Sequence, residues 1–133
     1  MTIPGLPEPA SAALLQTISA QPQVQRVVLY GSRALGRQRS GSDVDLCLVA
    51  PGMTLAELLE LGALLDDLLL PWRIDLQLDH LISHEGLRAH IQRAGRVLWD
   101  QSPLHETPAL GVSNTTGSAN PAKPRRQGQL LWP

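Results

Sequence analysis

Two aspartates separated by one valine are the residues of this sequence best placed to do chemistry, Asp43 and Asp45. The apolar residues around them are typical of a strand, in which residues two positions apart point to the same face. Their carboxylates therefore present four oxygens to one place, where they repel each other unless a cation lies between them. Magnesium suits hard oxygen ligands near a phosphate. The pair predicts a divalent metal site, and the alternative is a solvated strand edge or a turn cap.

A Gly-Ser turn precedes this pair, with ten residues between Ser32 and Asp43. The backbone N–H groups of such a turn and its serine hydroxyl suit a phosphate. We expect Gly31 to allow close backbone approach and Ser32 to contact the terminal phosphates. An ordinary turn would also need Gly31, and helix capping would also use Ser32. Ser42 is a further candidate for phosphate binding, its alternative being a hydroxyl at the start of a strand.

Three arginines follow the turn within seven residues, Arg33, Arg37 and Arg39. Helical spacing would place Arg33 and Arg37 on one face of a short helix. Because the guanidinium fork matches phosphate oxygens, we expect Arg33 to contact a nucleotide or an acidic neighbour. For all three arginines the alternative is a solvated basic face.

A third carboxylate follows on a later apolar segment that alternates with polar residues. Asp75 lies between Ile74 and Leu76, as expected for the middle of a half-buried strand. Asp79 lies on the same face of that segment and is the rival third ligand. We prefer Asp75 because of its apolar neighbours, and an exposed strand position is its alternative.

The histidines and the single cysteine show weaker signals. The histidines have no metal-ligand spacing and are interpreted as surface or partner-facing residues: His80, His84, His90 and His105. Cys47 has no partner for an internal disulfide, which fits a reducing compartment. Its expected role is packing or a silent position near the site.

The elements that must position these residues alternate between helix and strand, which predicts one α/β domain with a small mixed sheet. The expected order is α-β-(short α)-β-α-β-α-β. Its helices and strands are expected at 11–19 (helix), 24–30 (strand), 44–50 (strand), 54–70 (helix), 73–78 (strand), 85–94 (helix) and 96–99 (strand).

Local signals set several of these boundaries. Ser11 is the expected cap of the first helix, and Thr54 with Glu57 forms a capping box for the second. Gly95 is the expected end of the third. Residues 1–10 are interpreted as a flexible lead-in, 11–100 as the folded domain and 101–133 as a tail expected to be disordered. Within that tail, residues 130–132 (Leu-Leu-Trp) are either a frayed terminus or a short apolar anchor.

Composition excludes several classes of protein. The chain has 133 residues, a formal net charge of −1 and a pI near 6.4, so general binding to polyanions is not indicated. No signal peptide and no membrane-length apolar run is visible, so we expect a cytoplasmic protein.

The segment from Gly31 to Leu46 resembles the signature of the minimal nucleotidyltransferases (MNT) of the DNA polymerase β superfamily. That signature is Gly-Ser, about ten residues, Asp-x-Asp, and a third carboxylate on a later strand. Asp75 matches the third position. The resemblance implies the polymerase β-like nucleotidyltransferase fold for residues 11–100.

The small size is similar to one branch in particular, the MNT antitoxins that pair with HEPN-type ribonuclease toxins. The resemblance implies transfer of AMP from ATP to a tyrosine of such a toxin. It implies that Asp43, Asp45 and Asp75 hold Mg²⁺, as two ions, and perform catalysis. Gly31, Ser32, Arg33 and Ser42 would bind the nucleotide.

Two other functions stay open at this stage. The chain could neutralise a partner ribonuclease by binding alone, with catalysis secondary or absent. A fragment of a nucleic-acid polymerase is less favoured, because no basic, aromatic-rich track for a strand is visible. Relatives that modify small molecules carry a second helical domain, for which this length leaves no room. We therefore expect the acceptor hydroxyl on another polypeptide, in a hetero-oligomer, and expect neither nucleic acid nor membrane as a partner.

Overall fold

A four-stranded mixed sheet organises the part of the chain that the computed structural model describes, residues 2–101. The strands are β1 (Arg26–Tyr30), β2 (Val44–Val49), β3 (Ile74–Leu78) and β4 (Arg96–Asp100), in the spatial order β3-β2-β1-β4. The helices are α1 (Glu8–Ser19), α2 (Leu55–Asp66) and α3 (Glu85–Ala94), with a 3₁₀ turn at Asp79–Leu81.

The strand directions follow from the connections between them. β1 pairs antiparallel with both β2 and β4, whereas β2 and β3 are parallel. Parallel neighbours need a long crossover, and α2 supplies it between β2 and β3. The α/β fold with a small mixed sheet, expected from the sequence, is confirmed.

The core lies between one face of the sheet and the first two helices. Alternate residues of the strands point into it, and its most buried members are Leu14, Ile18, Val27, Leu29, Val44, Leu46, Leu48 and Leu61. The intervening strand residues face the other way, where α3 contacts β1. There Gly95 closely approaches Val28, and His90 meets the ring of Tyr30. The sheet therefore keeps its polar strand residues on the α3 side, away from the main core.

The prediction of a short helix between β1 and β2 is wrong, because residues 31–36 form turns instead. Gly31 and Gly36 have φ values of +78° and +73°, which a right-handed helix does not contain. Arg33 and Arg37 consequently do not share a helix face. Arg33 is buried, and Arg37 is exposed.

The first ten residues differ from the loose lead-in that the sequence suggested. Ile3 and Leu6 are core residues, 0% and 5% exposed. α1 begins at Glu8 after Pro7, so Ser11 is not its cap. The Ser11 hydroxyl is buried and accepts a hydrogen bond from the Ile3 N–H at 2.9 Å, which ties this segment to the helix.

α2 and α3 follow their predicted signals closely. The capping box of Thr54 and Glu57 is present, and α3 has its predicted bounds with Gly95 as C-cap. α2 ends at Asp66, earlier than the expected 70, and its outward leucines Leu55 and Leu59 are exposed. Within residues 2–101, no helix is long and apolar enough to span a membrane. The predictions for residues 102–133, including the apolar segment 130–132, lie outside the described residues.

Candidate active site

Three polar side chains lie in a row across the sheet, one from each of three neighbouring strands. In the antiparallel pair, Tyr30 is the register partner of Asp45, and in the parallel pair Asp45 is the partner of Asp75. Register partners project from the same face of a sheet. The row therefore gathers one phenol and two carboxylates on the α3 side, at the end of the sheet where β1 meets the turn that follows it.

The charges of these groups influence one another through the pKa of Asp45. Burial raises the pKa of Asp45, and the negative charges of Asp75 and Asp43 raise it further. Arg33 acts in the opposite direction. Burial and the neighbouring carboxylates therefore both oppose the ionisation of Asp45.

Tyr30 responds to the same field. Burial raises the pKa of its phenol, and Asp75 and Asp45 raise it further. Its side chain is only 6% exposed, and its ring lies edge-on to the ring of His90. The phenol is therefore neutral at physiological pH and forms part of the wall beside the carboxylates.

Asp43 precedes β2 and is exposed. The loop before it is stabilised by Ser42, whose hydroxyl accepts a hydrogen bond from the Arg39 N–H at 2.8 Å. Asp43 has the same strand parity as Asp45 and contributes to the field at that residue. The structure thus places all three predicted acidic residues at one end of the sheet.

The Gly-Ser turn lies directly against Asp45. A Cβ on Gly31 would overlap Asp45 Oδ2, and the φ of +78° is one that other residues adopt with strain. The Gly31 carbonyl accepts a hydrogen bond from the Leu35 N–H, and the Ser32 carbonyl accepts one from the Arg37 N–H. The amides of Ser32 and Arg33 donate to no acceptor among residues 2–101. Two backbone donors of the turn are therefore without an acceptor in the described part of the chain, next to the carboxylates.

Arg33 has a structural position that its sequence context did not predict. It is 1% exposed, and its guanidinium donates to three backbone carbonyls: Pro4 at 2.6 Å, Ser42 at 2.7 Å and Asp43 at 3.3 Å. These bonds join the N-terminal segment to the loop that carries Asp43. A contact between Arg33 and nucleotide phosphate stays a prediction, while Arg37 and Arg39 are exposed.

His90 belongs to this site, although the sequence suggested only a surface or partner-facing histidine. Its Nε2 accepts a hydrogen bond from the Gly31 N–H at 3.1 Å. Its ring centroid lies 6.1 Å from that of Tyr30. The one available signal was its spacing of three from Leu87, which places both residues on one side of α3.

The other described histidines have structural roles. His84 caps α3, its Nδ1 accepting from the Leu87 N–H at 3.0 Å. The His80 ring donates to the Met53 carbonyl at 3.1 Å. His105 lies outside the described residues.

Asp79, the rival third ligand, is engaged elsewhere. Its carboxylate pairs with Arg88 at 3.4 Å, and its carbonyl accepts from the same guanidinium at 2.7 Å. Cys47 is fully buried on the α3 side of β2, and burial raises the pKa of its thiol to about 12. Neither residue adds a ligand to the row of Asp45 and Asp75.

The donor set is suited to a hard divalent cation. All candidate ligands are carboxylates, and they interact repulsively at Asp45. Among residues 2–101, no group of three or more His, Cys, Asp and Glu side chains is arranged closely enough to hold a metal ion as it stands. Asp43, Asp45 and Asp75 are the residues that would hold such a cation, and the exposure of Asp43 leaves its side chain room to adjust.

Comparisons with known proteins bear on this arrangement. The family model described as Polymerase beta, Nucleotidyltransferase matches residues 13–104. No curated protein sequence matches the chain significantly. A crystal structure of a toxin–antitoxin with AMP-PNP is similar to this chain with a TM-score of 0.57 and 27% identity, over 71% of this chain and 74% of the other.

Two further solved structures have a similar fold. One is a variant of the toxin–antitoxin MntA–HpeT, with a TM-score of 0.55 and 27% identity over 71% and 73% of the two chains. The other is a tri-AMPylated Shewanella oneidensis HEPN toxin in complex with MNT antitoxin, with a TM-score of 0.54 over 70% and 71%. Its 20% identity supports the fold alone. With the family model covering most of its length, this chain belongs to the polymerase β nucleotidyltransferase family.

Proposed function

We propose that this protein transfers AMP from ATP to a hydroxyl of a partner protein, a tyrosine of a HEPN-type toxin, and thereby acts as an antitoxin. The observation that carries the proposal is the Gly-Ser turn lying against Asp45, with open amides on one side and Asp75 on the other. Phosphate donors and acidic ligands are then adjacent, as transfer of a nucleotidyl group requires.

The acidic residues are assigned to metal binding and catalysis. Asp43, Asp45 and Asp75 would hold Mg²⁺, as two ions. When bound, Mg²⁺ neutralises charge on the triphosphate and on the oxygens that enter and leave. Burial and the neighbouring carboxylates destabilise ionised Asp45, which favours cation binding at this carboxylate.

The Gly31–Ser32 turn is assigned to binding the phosphates of the nucleotide. The amides of Ser32 and Arg33 have no acceptor among residues 2–101, which makes them the proposed donors to phosphate oxygens, with the Ser32 hydroxyl beside them. Arg33 is 1% exposed, so the half-buried Ser32 is the more accessible of the two. Gly31 contributes by the absence of a side chain, which lets the turn approach Asp45. Ser42 and the Arg33 guanidinium are the remaining proposed nucleotide-binding groups, and both now support the Asp43 loop.

The acceptor hydroxyl comes from the partner. Its oxygen forms the new bond to the α-phosphorus, pyrophosphate leaves, and Asp75 is the carboxylate proposed to help remove the hydroxyl proton. The structural neighbours favour a toxin as the partner, because they come from toxin–antitoxin complexes, one with AMP-PNP. In the Shewanella complex the toxin is AMPylated.

Label transfer tests the proposal against neutralisation by binding alone. A HEPN-type protein, as the candidate partner, is incubated with the wild-type chain, Mg²⁺ and ATP labelled at the α-phosphate. We expect label on a tyrosine of the partner, found by mass spectrometry, and loss of both label and neutralisation with the double variant Asp43→Ala, Asp45→Ala.

The matched control removes two carboxylates that are exposed at the end of α2, in Asp66→Ala with Asp67→Ala. This control is expected to transfer label normally. If the Asp43, Asp45 double variant neutralises the partner as well as the wild type does, binding alone is the function and the proposal is wrong.

A further inference from the structure

We infer that His90 is a positioning residue of the nucleotide site, which holds the Gly31–Ser32 turn so that its next amides face the phosphates. The inference deepens the proposed function and rests on it for the identity of the ligand. It concerns α3, which carries no part of the Gly-Ser or Asp-x-Asp motif. The contact joins two residues that are 59 positions apart in the chain.

The ring of His90 is fixed from two sides. Its Nε2 accepts the Gly31 N–H at 3.1 Å, so this nitrogen carries no proton. The ring also meets Tyr30 edge to face, with an interplanar angle of 76°. Tyr30 is almost fully buried and is itself fixed in β1. A side chain held in this way has little rotational freedom and can serve as a rigid acceptor.

The turn needs such an acceptor, because glycine leaves its backbone unusually free. The carbonyls of Gly31 and Ser32 accept hydrogen bonds within the turn, but these bonds do not fix the peptide group between Tyr30 and Gly31, which carries the Gly31 N–H. The hydrogen bond to His90 fixes that group. The Gly31 amide is then committed to α3, and the amides of Ser32 and Arg33 are the ones that have no acceptor among residues 2–101.

A purely structural role for His90 would have different consequences. Ile91, 2% exposed, already anchors α3 to the sheet, and His84 caps its first turn. If His90 only supported the helix, any substitution that loosens α3 would have the same effect as substituting His90. If it positions the turn, the acceptor atom matters, whereas the stability of the helix does not.

Three variants separate these roles. His90→Phe keeps a ring against Tyr30 and removes the acceptor. His90→Gln removes the ring and returns an acceptor oxygen at a similar reach. His84→Ala removes the cap of α3 without touching the turn. Melting temperatures are measured for all three, so that loss of folding is recognised.

The first measurement uses the protein without nucleotide. In ¹H–¹⁵N spectra, we expect the Gly31 amide to shift upfield and to exchange about tenfold faster in His90→Phe, the size of effect that losing one such hydrogen bond produces. His90→Gln and His84→Ala should retain a Gly31 signal close to that of the wild type. An unmoved Gly31 amide in His90→Phe overturns the inference.

The second measurement follows ATP in the label-transfer reaction. His90→Phe should raise KM for ATP about tenfold with little change in kcat, and His90→Gln should restore most of the loss. Equal defects in His90→Phe and His90→Gln, or in His84→Ala, overturn the inference.

Failure of the proposed function would be seen separately, as a wild-type protein without transfer. In that case the role of His90 is tested by titration with inorganic triphosphate, with binding followed through the ¹H–¹⁵N signals of the Ser32 and Arg33 amides. Weaker binding in His90→Phe supports the inference, and equal binding overturns it.

Discussion

Asp45 and Asp75 are register partners across the parallel strands β2 and β3; burial raises the pKa of Asp45, and the charge of Asp75 raises it further. Adjacent carboxylates in a sheet destabilise the ligand-free fold when both are ionised. Such a pair persists where a cation or a phosphate-bound metal relieves the repulsion. The pair therefore connects the stability of the domain to its proposed ligand, and the connection can be measured.

Asp45→Asn should stabilise the ligand-free protein at neutral pH. A carboxyl group whose pKa is raised in the folded state contributes fully to stability when the pH is below its pKa in the unfolded state. That contribution is lost as the pH rises through its pKa in the folded state. The wild type loses this contribution as the pH rises, whereas the amide of Asp45→Asn does not ionise and keeps it. We expect a melting temperature a few degrees above the wild type at pH 7 in a chelator, with the difference shrinking towards pH 4.

Asp66→Asn, at an exposed site on α2, controls for the removal of one negative charge. Added Mg²⁺ should raise the melting temperature of the wild type more than that of Asp45→Asn, because the ligand binds the folded state. A variant that melts below the wild type at neutral pH would show that Asp45 is not a strained carboxylate.

The third acidic residue can be identified by comparing two aspartates of the same segment. Asp75→Asn should lower label transfer at least about a hundredfold, the usual scale for losing one electrostatic stabiliser of a transition state. Asp79→Asn removes a partly exposed ion pair with Arg88, which costs about 0–1 kcal/mol, and should transfer label normally. Loss of transfer in Asp79→Asn, with transfer retained in Asp75→Asn, would reverse the assignment.

Two glycines of the same loop test the close approach of the turn to Asp45. Gly31 and Gly36 both have positive φ, but a Cβ on Gly36 meets no atom within 4 Å. Gly36→Ala should cost about 1–2 kcal/mol in the free energy of unfolding, from backbone strain alone, and should retain transfer. Gly31→Ala should cost more and abolish transfer, because its methyl group displaces the Asp45 carboxylate.

Denaturant unfolding and label transfer measure the two effects of these glycine variants separately. If both alanine variants transfer label equally well, the contact between Gly31 and Asp45 has no functional role.

Arg33 should matter for stability more than any exposed arginine of the same loop. Arg33→Ala leaves three backbone carbonyls without their donor, and each unsatisfied buried acceptor costs about 1–3 kcal/mol. We expect the free energy of unfolding to fall by about 3 kcal/mol, allowing for water reaching part of the space. Arg37→Ala, at an exposed position, should change it by less than about 0.5 kcal/mol.

Chemical denaturation of the two arginine variants measures the difference. Near-equal stability of Arg33→Ala and Arg37→Ala would mean that the Arg33 guanidinium does not join the two segments in solution.

Sequence alone predicted the elements whose signals are local. The capping box at Thr54 and the bounds of α3 depend on neighbours within one or two turns, so they were predictable. The α/β class followed from the alternation of periodicities. The short helix after β1 was not excluded, because only the observed φ values of Gly31 and Gly36 show that the chain turns there.

The sequence by itself determined which chemistry this chain carries: the acidic residues, the Gly-Ser turn and their spacing. Only the tertiary structure decided how these groups are held. It placed Asp75 beside Asp45, buried Arg33 under three carbonyls and brought His90 to Gly31. The reason is physical: strand register and side-chain hydrogen bonds join residues tens of positions apart, and no local pattern in the chain encodes which of them meet.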